Sequence, residues 1–202
     1  MKKIRLTLVL AFMVSLILPT AAQTPRSVLD KAAKILNSKD GVTANFTMTN
    51  SAKMKMSGTV AVKGSKVHAK TSEAILWFDG KTQWTYLTKN EEVSVTTPTA
   101  QQLQTINPYT FINMYKEGYK YTMNQSGNTQ TVHLTATDTK RKIQEMFITV
   151  DKKSGMPTQV KLLQGKKWTL FDISNIKTQK LSDDIFRFSS KDFPNAEVID
   201  LR

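Results

Sequence analysis

The side chains that could do chemistry in this chain are few and poorly placed for it. Its 202 residues include two histidines and no cysteine. His68 stands between Val67 and Ala69, and His133 between Val132 and Leu134. Alternation along a strand turns each ring away from its apolar neighbours, and neither histidine has a second ligand at metal-binding spacing. Without cysteine there is no thiol nucleophile and no disulfide. No Gly-x-Ser-x-Gly elbow occurs. Gly80-Lys81-Thr82 resembles the end of a phosphate loop, but the upstream glycine is missing and a strand pattern follows where a helix is required. Asn45-Phe46-Thr47 and Asn124-Gln125-Ser126 fit a glycosylation pattern that is common by chance. Carboxylates are few, and none pair within an apolar strand. The residues lead us to expect no catalysis, no metal and no cofactor.

Greasy surface is what the chain offers instead. Residues 73–88 read EAILWFDGKTQWTYLT. Asp79-Gly80 is a hairpin signal, because glycine supplies the positive φ of a tight turn. Folding there sets Trp77 opposite Thr82, Ile75 opposite Trp84 and Glu73 opposite Tyr86. Opposed residues share a face, so Ile75, Trp77, Trp84 and Tyr86 gather on one side, as a core or as the wall of an apolar cavity.

The elements that would position this cluster are mostly strands. Thr24 and Pro25 open a helix whose stripe is Val28, Leu29, Ala32, Ile35 and Leu36, ending near Asn37–Gly41. Val42, Ala44, Phe46 and Met48 alternate with polar residues. So do Met54, Met56, Gly58, Val60 and Val62, with lysines on the other face. Gly58 within that strand predicts a bulge or a tight bend. Val67 to Ala69, the hairpin, and Val93 to Val95 continue the sheet up to Pro98. Residues 99–106 read as a loop or as short helical turns. Asn107 and Pro108 start a helix running to Glu117, with Gly118 as its stop. That helix carries Tyr109, Phe111, Ile112, Met114 and Tyr115. Being apolar over most of its circumference, it is expected to lie across the sheet as a lid, the alternative being an ordinary core helix. Strands resume at Tyr119, Val132, Met146, Met156 and Trp168. Leu181, Ile185, Phe186 and Phe188 form a last apolar patch, and Val198-Ile199 tie down the tail. We therefore expect a mainly β protein: a strongly curved, incomplete antiparallel barrel with an N-terminal helix and a helical lid over an apolar cavity.

The N-terminus has a basic head (Lys2, Lys3, Arg5), an apolar run from Leu6 to Leu18 and a small-residue exit at Ala22. This describes a secretory signal peptide over 1–22, too short to span a bilayer, followed by one domain over 23–202. An uncleaved anchor is the alternative. Loss of the leader lowers the formal charge from +13 to +10. That charge suits anionic membranes, acidic partners or nucleic acid, or no particular partner at all. Export and the scatter of the lysines argue against nucleic acid. A monomeric periplasmic protein is expected.

The hairpin Asp79-Gly80-Lys81-Thr82-Gln83-Trp84-Thr85-Tyr86, the strand Gly58-Thr59-Val60-Ala61-Val62-Lys63 and the ending Asp184-Ile185-Phe186-Arg187-Phe188 resemble the LolA family of periplasmic lipoprotein carriers. Phe46-Thr47-Met48 and Asn107-Pro108-Tyr109-Thr110-Phe111 fit the same pattern, and the likeness runs from about Ala32 to Val198. It implies a chaperone whose apolar cavity takes lipoprotein acyl chains from an inner-membrane releasing transporter and passes them to an outer-membrane acceptor. Many members carry Arg-Pro after the Val-Lys strand end, and that arginine helps to hold the lid closed. Here Gly64-Ser65 stand in that place, and Lys66 is the candidate substitute, without arginine's forked donors. The physics is compatible with a carrier. An acyl chain of about 15 methylenes costs roughly 12 kcal/mol to leave in water. The flexible thioethers of methionine suit a site that must cover such chains and let them go. The expected wall is Phe46, Met48, Met54, Met56, Val60, Ile75, Trp77, Trp84 and Tyr86. The expected lid is Tyr109, Phe111, Ile112, Met114 and Tyr115, with rim lysines placed to meet anionic headgroups. A lipid- or lipoprotein-binding sensor of the same fold, without transport, is the alternative.

Overall fold

The computed structural model describes residues 23–99, 102 and 114–202. Thr24 caps helix α1 (Pro25–Leu36) by accepting a hydrogen bond from the Ser27 N–H at 3.1 Å, and the helix ends at Asn37, whose N–H donates to the Ala33 carbonyl. A first meander follows: β1 (Val42–Asn50), β2 (Lys55–Lys63), β3 (Lys66–Thr71), β4 (Ala74–Phe78), β5 (Gln83–Leu87) and β6 (Glu92–Thr96). The second comprises β7 (Tyr119–Ser126), β8 (Thr129–Ala136), β9 (Ile143–Asp151), β10 (Pro157–Gln164) and β11 (Lys167–Thr178). A 3-10 turn (Asp183–Phe186) and β12 (Glu197–Asp200) complete the chain.

All twelve strands form one curved sheet in the order β12-β6-β5-β4-β3-β2-β1-β11-β10-β9-β8-β7. It does not close into a barrel, as the sequence led us to expect. β1 pairs with β11 and so welds the two meanders together. Eleven strands pair antiparallel, but β12 lies parallel to β6, because the tail returns to that edge through residues 179–196 and not through a hairpin.

Register decides which residues share a face. Met48 lies opposite both Met56 and Phe171, Phe171 opposite Val160, Val160 opposite Ile148, and Ile148 opposite Val132. α1 packs on this face, where Val28, Leu29, Ala32 and Ala33 join Val132, Leu134, Met146, Ile148 and Leu162 in the larger core. In the other direction Val60 lies opposite Ala69, Ala69 opposite Leu76, and Leu76 opposite Thr85. These too belong to the α1 face.

The β4–β5 turn is longer than the two-residue hairpin expected. Ile75 lies opposite Tyr86 and Trp77 opposite Trp84, with residues 79–82 in the loop. Gly80 has φ of +101°. Asp79 Oδ1 accepts from the Lys81 and Thr82 N–H groups at 2.9 and 2.8 Å, which holds a four-residue loop where a two-residue turn would leave those donors free. The shift is two residues, so the four aromatic and aliphatic side chains still share a face.

Gly58 marks a close approach. A Cβ there would lie 2.2 Å from the Lys70 carbonyl oxygen and 2.9 Å from Phe46 Cζ. The bare glycine lets the Phe46 ring lie over it and lets β3 come near. Gly58→Val should therefore lower stability by about 1–3 kcal/mol, the range for overpacking a tight site. A urea melt measures this, and an unchanged midpoint would mean that β3 backs away freely.

Candidate functional site

The nine residues expected to line one wall divide between the two faces of the sheet. Phe46, Met48, Met56 and Val60 lie on the α1 face. Each is half-buried, as are Val160 and Phe171, which continue the strip across β11 and β10. Ile75, Trp77, Trp84 and Tyr86 lie on the opposite face, with His68 and Ala61. Each step from β2 to β3 to β4 pairs an even-numbered with an odd-numbered residue. Val60 therefore shares its face with Leu76, and Trp77 does not. Met54 belongs to neither group: it sits in the β1–β2 turn and is 65% exposed.

The opposite-face cluster is filled by the C-terminal segment, which crosses β3 to β6 as a strap. Phe193 packs on Trp77 and Tyr86 at ring separations of 5.5 and 4.7 Å, and Phe188 packs on Trp77 at 5.6 Å. Ala61, Leu181 and Phe186 form a second small core beside them. Ion pairs hold the strap in place. Lys63 and Lys66 reach the two oxygens of Asp183 at 3.0 and 2.7 Å, and Arg187 meets Asp79 Oδ2 at 3.4 Å. Hydrogen bonds from Lys66 and Lys63 pull the Asp183 carboxyl from 3.8 down to about 2. Lys66, the candidate substitute for the family's latching arginine, thus spends its charge on the strap.

Of the expected lid, Tyr109, Phe111 and Ile112 lie outside the described residues. Met114 and Tyr115 are described, and both pack against the α1 core. Tyr115 is 1% exposed, and its hydroxyl donates to Asp30 Oδ1 at 2.5 Å. Burial first, and then the Asp30 carboxylate, raise its pKa. Tyr121 donates to the Tyr115 carbonyl, and Tyr119 to the Ile143 carbonyl at 2.9 Å. The start of β7 is thereby pinned to the helix and to β9.

Both histidines lie on the face away from α1. His133 stacks on Phe147 at 4.1 Å and bonds to Glu145 at 2.9 Å. His68 stacks on Trp77 at 5.7 Å, and burial, then Lys70, lower its pKa. A recess of about 630 Å³ opens beside it, lined in part by Asn45, Thr59, Lys177, Leu181 and Ile185; the sequence carried no signal of it. Among the described residues no cluster of three metal-ligating side chains occurs. On the α1 face Gln83 Oε1 is buried and has no hydrogen-bond partner among the described residues. Such an acceptor is costly to leave empty.

Residues 17–166 match the family model described as outer membrane lipoprotein carrier protein LolA. Among curated proteins none matches the sequence. A crystal structure of an uncharacterized conserved protein from Thermus thermophilus superposes with a TM-score of 0.59 at 11% identity, covering 88% of this chain and 99% of that one. A LolA superfamily protein from Nitrosomonas europaea gives 0.44 at 15% identity, over 83% and 99%. LprF from Mycobacterium bovis gives 0.44 at 8% identity, over 79% and 96%. At 11% identity the first of these likenesses speaks for the fold alone.

Two measurements test the strap. Phe188→Ala with Phe193→Ala should uncover Trp77, shift its emission to the red and cost about 2–3 kcal/mol, below the range for fully buried phenylalanines because both rings keep some solvent contact. Unchanged emission would place the strap elsewhere in solution. Acid is the second test. The folded pKa of Asp183 lies below its unfolded value, so its contribution is complete above pH 3.8 and is lost as the pH falls through about 2. Trp77 emission should therefore report a strap that holds at pH 5 and loosens near pH 2, with the acid step smaller in Asp183→Asn.

Proposed function

The chain belongs to the family of the outer membrane lipoprotein carrier protein LolA, and from that membership we propose that it is a periplasmic chaperone carrying the acyl chains of lipoproteins from the inner towards the outer membrane. The observation that carries the reading is the half-buried apolar strip on the α1 face: Phe46, Met48, Met56, Val60, Val160 and Phe171. Val160 and Phe171 edge the α1 core, whose centre buries Met146 and Leu134 at 0% exposure, while Phe46, Met48, Met56 and Val60 lie beyond it and stay half open. A strip left half open by its own fold is an acyl-chain surface, and each methylene covered there contributes about 0.8 kcal/mol. Binding, and not catalysis, is the work of this surface. Its partners are acylated lipoproteins, an inner-membrane transporter that loads the protein and an outer-membrane acceptor that unloads it.

Two-sided use of the sheet refines the site. The lipid wall is the α1 face alone, whereas Ile75, Trp77, Trp84 and Tyr86 serve the strap. Tyr115 is buried in the α1 core and bonded to Asp30, so a charge placed there would unfold the protein before it tested lipid binding.

Native mass spectrometry of the protein recovered from its own periplasm, with extraction of bound lipid, should find a lipoprotein or acyl lipid in stoichiometric amount. Met48→Glu with Met56→Glu should reduce that content about tenfold or more, since each carboxylate must be desolvated against the chain, while Phe188→Ala should leave it unchanged. An empty wild-type protein that also takes no lipoprotein from donor membranes would overturn the reading.

A further inference from the structure

Two neighbouring hairpin tips at one end of the sheet carry four lysines and no carboxylate. The β1–β2 tip reads Asn50-Ser51-Ala52-Lys53-Met54-Lys55, and the β10–β11 tip Gln164-Gly165-Lys166-Lys167-Trp168. β1 pairs with β11, which sets the tips side by side, with Asn50 opposite Thr169. Ser51 locks them together: its hydroxyl donates to the Trp168 carbonyl at 2.9 Å and accepts from the Trp168 N–H at 2.7 Å. Lys53, Met54, Lys55, Lys166 and Lys167 are all exposed. Among the described residues none of these lysines has an ion-pair partner. At the other end of the sheet Lys63 and Lys66 share Asp183 and Arg187 meets Asp79, while Lys81 and Lys153 stand exposed in separate turns. The next hairpin beyond β10, β8–β9, adds Lys140, Arg141 and Lys142 around a single Asp138.

We infer that these paired tips dock the protein on the surface of an anionic bilayer, with the lysines over the headgroups and Met54 entering the interface. Charge complementarity decides the occupant. Unpaired lysines fixed on one rigid edge are attracted to anionic lipid, each contributing about fivefold to the partition. An exposed methionine between them adds apolar contact that a protein surface bristling with carboxylates would not reward. The position also fits delivery, because the half-buried Met48 and Met56 lie on the same two strands just below the tip. Docking does not rest on lipid carriage: bilayer affinity and lipid content are separate measurements, and a protein that carries lipid yet ignores vesicles would sink this inference alone.

The test is flotation of the protein, in the form its own cells hold, with vesicles of mixed phosphatidylglycerol and phosphatidylcholine, against phosphatidylcholine alone. Binding should require the anionic lipid and weaken with salt. Charge reversal of Lys53, Lys55, Lys166 and Lys167 to Glu should lower affinity at least several hundredfold, by about the fivefold figure for each lysine. The same reversal at Lys34, Lys39, Lys153 and Lys180, away from the tips, should lower it far less. Met54→Ser, which leaves the charge unchanged, should also weaken binding, through the apolar contact it removes. Thermal melts confirm that each variant is folded. Absence of binding to anionic vesicles, or equal losses in the two reversal sets, would overturn the inference; the second result would assign the effect to net charge.

Discussion

The ladder between β1 and β11 is the contact on which this architecture depends. It joins residues 42–50 to residues 169–178, and with them two meanders that are each built of local hairpins. Without it the chain would form two small sheets, each with open edges and half a core. With it, Met48 meets Phe171, and the apolar face that α1 covers over β7 to β10 runs on unbroken into β1 and β2. The same ladder brings together the tips of two hairpins far apart in sequence. The core, the apolar strip and the basic edge all follow from one set of long-range pairings, whose closure cost grows only slowly with the length of chain between them.

The sheet is used on both faces, and the two faces do different work. Over β7 to β10 the α1 face is closed by a helix, and over β1 and β2 it keeps half-buried methionine and phenylalanine side chains. The opposite face of β3 to β6 is closed by a strap whose phenylalanines sit against Trp77 and Tyr86. Aromatic pairs of this kind add to the area they bury, so the hairpin and the strap stabilise one another. Their ion pairs are exposed and screened, so they contribute register more than energy. Such a division leaves the α1 face free to stay incompletely packed, because the stability of the first meander is supplied from behind.

Lysine placement follows the same logic. At the strap end of the sheet Lys63, Lys66 and Arg187 are answered by Asp183 and Asp79, and they hold the chain to itself. At the paired tips Lys53, Lys55, Lys166 and Lys167 are exposed.

Much of this was legible in the residues. Thr24 and Pro25 start the helix, period-2 alternation locates strands from Val42 to Ile176, and the Asp79-Gly80 hairpin sets four apolar side chains on one face; Gly58, read as a bulge or tight bend, instead keeps an unbroken register and gives room to Phe46 and β3. Those features are local: caps, alternation and turn chemistry act over a few residues, and the sequence alone carries them. The pairing of faces is not local. Phe46 and Trp77 are equally apolar and each alternates correctly in its own strand, so nothing within either strand says that they look in opposite directions. That was decided by the registers across the three turns between β1 and β4, and by a C-terminal segment arriving from far along the chain to cover one side. Hydrophobicity determined that these side chains would be buried, and only the tertiary structure decided against what.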